Sequence, residues 1–342
     1  MKLYPLKFHP RYVEKMWGGR KIETVLGKAL PAGKSIGESW EIYDFPPGVV
    51  DQSTKWVSAR IANGPLEGVS LHEAIERFGR DLLGSVAAVG PNGQFPLLIK
   101  YLDAREDLSV QVHPDEEYAA AHPDAHLKNE AWYVVHNDPS ARILKGLNAG
   151  VTREALQRAI TEGNVEQTIK SIAVKVGDCH YLPSGTVHAL GAGILAAEVQ
   201  TPSDTTFRVY DFDRVDPSTG KTRTLHVDQA LDCIDFSGKP EAIQKRSHVG
   251  GIHTTVTRLV TSDYFIIEKV RMTDGIEAPI PYNQPVIWMM LEGSADVRCG
   301  GSPEVTTIAR GETVLLPATM ENPIIRTTAD CVWLEVTFTN RM

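Results

Sequence analysis

Positive charge is in short supply in this chain: 35 Lys and Arg stand against 43 Asp and Glu, a net charge of −8. Nucleic acid and anionic membrane surfaces gain nothing from an acidic partner, so both are excluded, and a phosphate-bearing ligand would need a local basic pocket. Cysteine is scarce as well. Cys179, Cys233, Cys299 and Cys331 are scattered, with no CxxC pair and no dense framework. A reduced, cytoplasmic protein is the expectation. No apolar run approaches membrane-spanning length, and the opening Met-Lys-Leu-Tyr-Pro-Leu-Lys-Phe-His-Pro has no apolar h-region or cleavage site. What is present, 42% hydrophobic and 23% charged residues, describes an ordinary globular composition. At 342 residues two domains are expected.

Residues 1–60 carry short strand-like runs punctuated by Gly and Pro, which suggests an all-β layer. Ser70-Leu-His-Glu73 is a capping box, and Leu71, Ala74, Ile75, Phe78 and Leu82 follow at helical spacing, so a helical insertion is predicted over about 70–84. A second is predicted over 152–171, on the apolar faces of Leu156, Ala159, Ile160, Val165 and Ile169. Strand character returns from Ala173, and Leu225–Ile234 reads as a short helix. The segment Ser237–Gly251, with Gly238, Pro240, Gly250 and Gly251, is the expected boundary between a domain of residues 1–240 and one of 250–342.

The organising stretch is Gly177-Asp-Cys-His-Tyr-Leu-Pro-Ser-Gly-Thr-Val-His188. Pro183 and Gly185 force a tight turn, and that turn delivers His188 at the head of a buried β run, Ala189–Val199. A histidine fixed by a rigid turn on a sheet is well placed to hold a metal. Upstream, Gln111 and His113 stand two apart on a strand and so share a face, and Glu130 opens the next strand. This pattern resembles the two halves of the cupin signature, whose histidines bind metal inside a small β-barrel. The last ninety residues then read as a repeat. Asp107–His113 aligns with Asp263–Lys269, Glu130 with Val286, and Gly177-x5-Pro183 with Gly311-x5-Pro317, while Gln111, His113, Glu130 and His188 become Ile267, Lys269, Val286 and Asn322. The expected fold is mainly β: two jelly-roll (cupin) barrels with helical insertions, the second degenerate and without metal ligands.

Two histidines and a carboxylate with an open position suit a catalytic zinc, and they suit a non-haem Fe(II) oxygenase as well. The neighbouring segments decide. Leu108-Ser-Val-Gln-Val-His113-Pro, Lys128-Asn-Glu130, Pro183-Ser-Gly-Thr-Val-His188-Ala, Ser203-Asp-Thr-Thr-Phe-Arg208 and Trp17-Gly-Gly together resemble the type I mannose-6-phosphate isomerases, in their short bacterial form. That resemblance implies one Zn2+ per chain on Gln111, His113, Glu130 and His188, and a catalytic role for Arg208. It implies a substrate pocket lined by Ser109, Lys100 and Lys128, with a carboxylate at Glu198. The implied ligand is a small-molecule sugar phosphate. An aldose–ketose interconversion needs a base near two adjacent carbons and positive charge where the oxyanion develops. Glu198 or Lys128 is the expected base, and Glu198 has a second reading as the partner of Arg208. A non-catalytic sugar-binding module and an Fe(II) dioxygenase are the alternatives; the first would show loss of Arg208 or a ligand, and neither is lost, while the second has little need for Lys128 and Arg208 together.

Overall fold

The computed structural model describes residues 2–50, 53–84, 90, 92–216, 220–238, 244, 246–300 and 304–339. Two sheets sit back to back at its centre. The six-stranded sheet runs Cys179–Leu182, Glu130–Asn137, Ile194–Gln200, Leu98–Ala104, Arg11–Gly19, Ile36–Ile42. The seven-stranded sheet runs Leu6–Lys7, Thr313–Leu316, Val286–Glu292, Cys331–Phe338, Phe265–Met272, Thr254–Thr261, Ser247–Gly250. Alternation along each strand builds the layers. Ala131 and Tyr133 meet Ile287, Met289 and Leu334 in the large central core. Trp132 and Val134 point the other way and pack with Ile143 and Leu190.

Those last two residues belong to a five-stranded sheet, ordered Ile169–Ala173, Arg142–Leu147, His188–Leu190, Val110–Val112, Phe207–Tyr210. Its outer face is covered by the helices Arg153–Thr161 and Val227–Cys233 through Leu156, Ala230 and Leu231. On the far side of the molecule a four-stranded sheet, Glu277–Pro279, Ile324–Thr327, Ser294–Arg298, Val305–Ala309, closes a core around Trp288 and Trp333.

Mainly β is therefore right, but the expected jelly-roll barrels do not form. Ile36–Ile42 pairs with Leu98–Ala104 as well as with Arg11–Gly19, but among the described residues no ladder joins the last strand of a sheet to its first or links one stacked sheet to the next. Ladder pairing needs strands about 4.8 Å apart, whereas sheets separated by side chains such as Trp132 and Trp288 stack at about 10 Å. The molecule is a stack of open sheets.

The first helical expectation matches the observed elements. Leu71–Phe78 starts at Ser70 with both arms of the capping box made, and Gly79 at φ +47 separates it from the turn Arg80–Leu83. The second is too long. The helix capped by Thr152 ends before Gly163, whose φ of +70 breaks it, and a 3-10 turn at Val165–Thr168 follows. Ile169–Ala173 is a strand, with Ile169 opposite Leu147 and Ile172 opposite Ile143. The Ala189–Val199 run is also two strands, split at Gly191–Gly193. In the expected boundary segment Ser247–Gly250 forms an edge strand, and Pro240 lies outside the described residues.

Candidate active site

The facing surfaces of the six- and five-stranded sheets gather the site. Across the five-stranded sheet, His188 pairs in register with Gln111, and Gln111 with Arg208, so three neighbouring strands present one row. Across the six-stranded sheet the opposing row is Trp132, Glu198 and Lys100. Glu130 begins the strand that carries Trp132 and shares its face.

Local chemistry fixes the candidate ligands. Gly185 takes φ +80 in the turn after Pro183, and its N–H donates to the His113 carbonyl at 3.0 Å, tying the turn to the other histidine. A Cβ there would lie 3.1 Å from the Cys233 carbonyl oxygen, so space as well as backbone angle calls for glycine. Asn129, beside Glu130, accepts the Ser184 N–H at 3.0 Å and so anchors the same turn.

His113, Glu130 and His188 are all buried, with ligand-type atoms within 4.8 Å of one another. The His113 Nδ1 lies 2.9 Å from the Thr205 carbonyl and the His188 Nδ1 2.8 Å from the Thr186 carbonyl. A neutral imidazole holding a carbonyl through Nδ1–H turns the Nε2 lone pair inward, the usual way a metal-binding histidine is oriented. Here His188 Nε2 meets Glu130 Oε1 at 3.1 Å and His113 Nε2 meets Oε2 at 3.4 Å. Yet His113 Nε2 and both Glu130 oxygens lack a hydrogen bond of good geometry. Burial, then the charge of Lys128, pushes the His113 imidazole down to about 3, so the ring is neutral, with its one proton on Nδ1 and none on Nε2. Burial opposes the charge of Glu130, but Lys128 and the two imidazoles hold its carboxyl well below the usual range. Acceptors aimed at one another with no proton between them fit a cation. Gln111 is adjacent, its Nε2 3.4 Å from His188 Nε2, and a carboxamide turned about its last bond would offer oxygen instead.

Next to this set lies a cavity of about 220 Å³. Its walls include the expected Lys100, Ser109, Gln111, Lys128, Glu198 and Arg208. They also include Lys15, Glu38, Asp204 and Arg223, which sequence reasoning did not single out. Glu38 had one available signal, a charged residue on a run otherwise suited to burial. Lys15 had none, because it reaches Glu38 only through strand pairing, at 3.1 Å. Burial raises the Glu38 carboxyl, and Lys100 and Lys15 more than offset that, leaving it strongly acidic. Burial lowers the Lys100 ammonium.

Glu198 is not the partner of Arg208. Its Oε2 lies 2.8 Å from Lys100 Nζ, and its Oε1 accepts from Trp132 Nε1 at 3.2 Å. Arg208 instead donates from Nε to Ser109 Oγ at 3.3 Å and from Nη1 to the Thr224 carbonyl at 3.0 Å. Lys128 Nζ stands 3.0 Å from Glu130 Oε2.

Residues 5–145 match the phosphomannose isomerase type I catalytic domain. The chain is 35% identical to mannose-6-phosphate isomerase of Streptococcus mutans, over 93% of this chain and 94% of that protein. It is 35% identical to mannose-6-phosphate isomerase ManA of Bacillus subtilis, over 97% of this chain and 99% of that one. The crystal structure of the mannose 6-phosphate isomerase from Bacillus subtilis superposes with a TM-score of 0.85 at 31% identity, covering 98% of this chain and 100% of that one. With relatives this similar along nearly their whole length, the chain belongs to the type I phosphomannose isomerase family.

Proposed function

We propose that this chain interconverts mannose 6-phosphate and fructose 6-phosphate by moving a proton between C1 and C2 through a cis-enediolate. The observation that carries this reading is the convergence of His113, His188 and Glu130 lone pairs beside a cavity walled by lysines and arginines, in a chain of this family.

Zinc is the ion we assign, held by His113, Glu130 and His188 with Gln111 as the fourth and weakest donor. When bound, it supplies a Lewis acid beside the sugar's carbonyl and hydroxyl oxygens. The chain's own residues do the rest. Arg208 keeps its charge although burial, then Arg223, lowers its guanidinium, and its fork is braced by Ser109 and Thr224 to meet a developing oxyanion. Glu198 is buried, and its Oε2 can take the proton from one carbon and return it to the next, with Lys100 and Trp132 fixing the carboxylate in place. Lys128 is the second group able to carry that proton. Ser109 and Lys100 bind substrate oxygens. The buried walls keep water from the enediolate. Residues 1–240 thus carry the chemistry, and 250–342 form a second unit without it. No helix among the described residues is long and apolar enough to cross a membrane. The four cysteines are free, which supports a reducing, cytoplasmic setting.

The test is an assay of purified protein with mannose 6-phosphate, before and after chelation. Turnover that is lost on chelation and restored by zinc supports the reading. Iron content with oxygen uptake, and no isomerisation, would support the dioxygenase alternative instead.

A further inference from the structure

We propose that Arg223, held in place by Asp211, binds the phosphate of the substrate at the end of the cavity remote from the histidines. The proposal rests on the isomerase reading for the identity of the substrate, and on charge and geometry for the location of its phosphate.

The lysines of the cavity are already neutralised. Lys100 Nζ lies 2.8 Å from Glu198 and 3.5 Å from Glu38, and Lys15 Nζ lies 3.1 Å from Glu38, so two ammoniums answer two carboxylates. Lys128 faces Glu130. Asp204 also sits in the field of Lys100, Lys15 and Lys128. The arginine side differs. Among the described residues Arg208 hydrogen-bonds through its side chain to neutral oxygens, those of Ser109 and Thr224, and shares the field of Asp211 with Arg223 and Arg214. Arg223 and Arg214 share Asp211, and Arg214 also lies 4.0 Å from Glu106, which Arg105 holds at 2.9 Å, so three guanidiniums meet two carboxylates and one positive charge is left over. A phosphate dianion is drawn to where charge is unanswered.

Position agrees with charge. His188, Gln111 and Arg208 occupy successive strands, which puts the Arg208 strand about 10 Å from the His188 strand. Arg223 lies on the segment that folds back beside Arg208, next to the Thr224 carbonyl that Arg208 holds. The order along the cavity is then metal-ligand set, Arg208, Arg223, which matches a sugar with its reacting carbons at one end and its phosphate at the other. Asp211 is 5% exposed and engages Arg223 in bidentate fashion, Nε to Oδ2 at 2.6 Å and Nη2 to Oδ1. Nη1 makes no hydrogen bond among the described residues. A planar fork pinned on one edge presents its remaining N–H groups in a fixed direction, as phosphate recognition requires. Asp211 is thus a positioning residue, and Arg214 shares its charge.

The same clamp could do no more than staple the loop between Asp211 and Arg223, so the test must read phosphate. Inorganic phosphate is titrated calorimetrically into wild type, Arg223→Ala, Arg223→Lys and Asp211→Asn, each first checked for metal content and melting temperature. Expected is clear binding to wild type, loss of about 10–100-fold in Arg223→Ala, partial recovery in Arg223→Lys, and weakened binding in Asp211→Asn although Arg223 remains. In turnover, Arg223→Ala should raise KM for mannose 6-phosphate by a similar factor while kcat stays within about threefold. Wild-type-like phosphate binding in Arg223→Ala, no binding to wild type, or a fall in kcat at unchanged KM would overturn the proposal. Calorimetry needs no turnover. A wild type that binds phosphate through Arg223 yet isomerises nothing would refute the functional reading and leave the phosphate site standing.

Discussion

The two central sheets are built to one plan and differ in chemistry. In the six-stranded sheet Glu130 pairs with Leu182 and Tyr133 with Cys179; in the seven-stranded sheet Val286 pairs with Leu316 and Met289 with Thr313. The offset is identical. One strand over, Trp132 stands opposite Glu198, and Trp288 stands opposite Glu335. Both indoles donate to the facing carboxylate, at 3.2 and 2.9 Å. The next strand parts them. Glu198 faces Lys100, whereas Glu335 faces Glu268. Where the first sheet begins its strand with Glu130, the second has Val286. A sheet ladder and an indole–carboxylate pair are thus scaffold, and a few side chains at fixed registers turn one copy into a site. Burial and then the Tyr282 and Trp288 hydrogen bonds act on Glu335 in opposite directions, with Glu268 adding repulsion, and the result is a raised carboxyl.

The largest break in this comparison should come from His188→Ala. It strips the metal and abolishes turnover while the fold survives, since the turn made by Pro183 and Gly185 does not depend on the imidazole. Full metal occupancy in the variant at micromolar ion would show that His188 is not a ligand. Glu198→Gln comes next, with kcat lower by roughly 10²–10⁴ and metal retained, the range for losing a general base. Exchange of solvent deuterium into substrate should fall with it, and exchange at the wild-type rate would move the base to Lys128. For Arg208→Lys we expect a loss of roughly 10²–10³ in kcat, because an ammonium keeps the charge and loses the fork. A raised KM alone would make it a uniform-binding residue.

The smallest effect is on stability, in the second sheet. Because the Glu335 carboxyl is raised in the fold, the native state binds a proton that the unfolded chain releases earlier. Its contribution is complete below the unfolded value and is lost as pH rises through the folded one. Glu268→Gln removes the like charge opposite, so that loss should shrink by roughly 0.2–1 kcal/mol. Urea unfolding across this pH range measures it, and an unchanged slope would mean that the two carboxylates do not interact.

Much of the candidate site was legible in the sequence, because its signals are local. Pro183, Gly185 and His188 lie within one turn, and Gln111 and His113 within one strand. What was hidden is set by pairing between distant segments. Lys100 meets Glu198, and Lys15 meets Glu38, only through ladder register. Asp211 reaches Arg223 only when its loop folds back. Period-two hydrophobicity also misled the repeat. Phe265–Met272 was aligned with the strand of Gln111, but its neighbours give it the place of Leu98–Ala104. Alternating apolar residues fit either strand, and only the pairing partner tells them apart. Sheet closure is likewise invisible in such a pattern.

The central claim is that the plan occurs twice and the metal chemistry once. Elemental analysis of dialysed protein tests it most directly. One tightly held divalent ion per chain is expected, lost when His113 and His188 are both replaced by Ala, since Val286 offers no donor atom where the first sheet has Glu130. Two ions per chain, one of them surviving that double substitution, would contradict it.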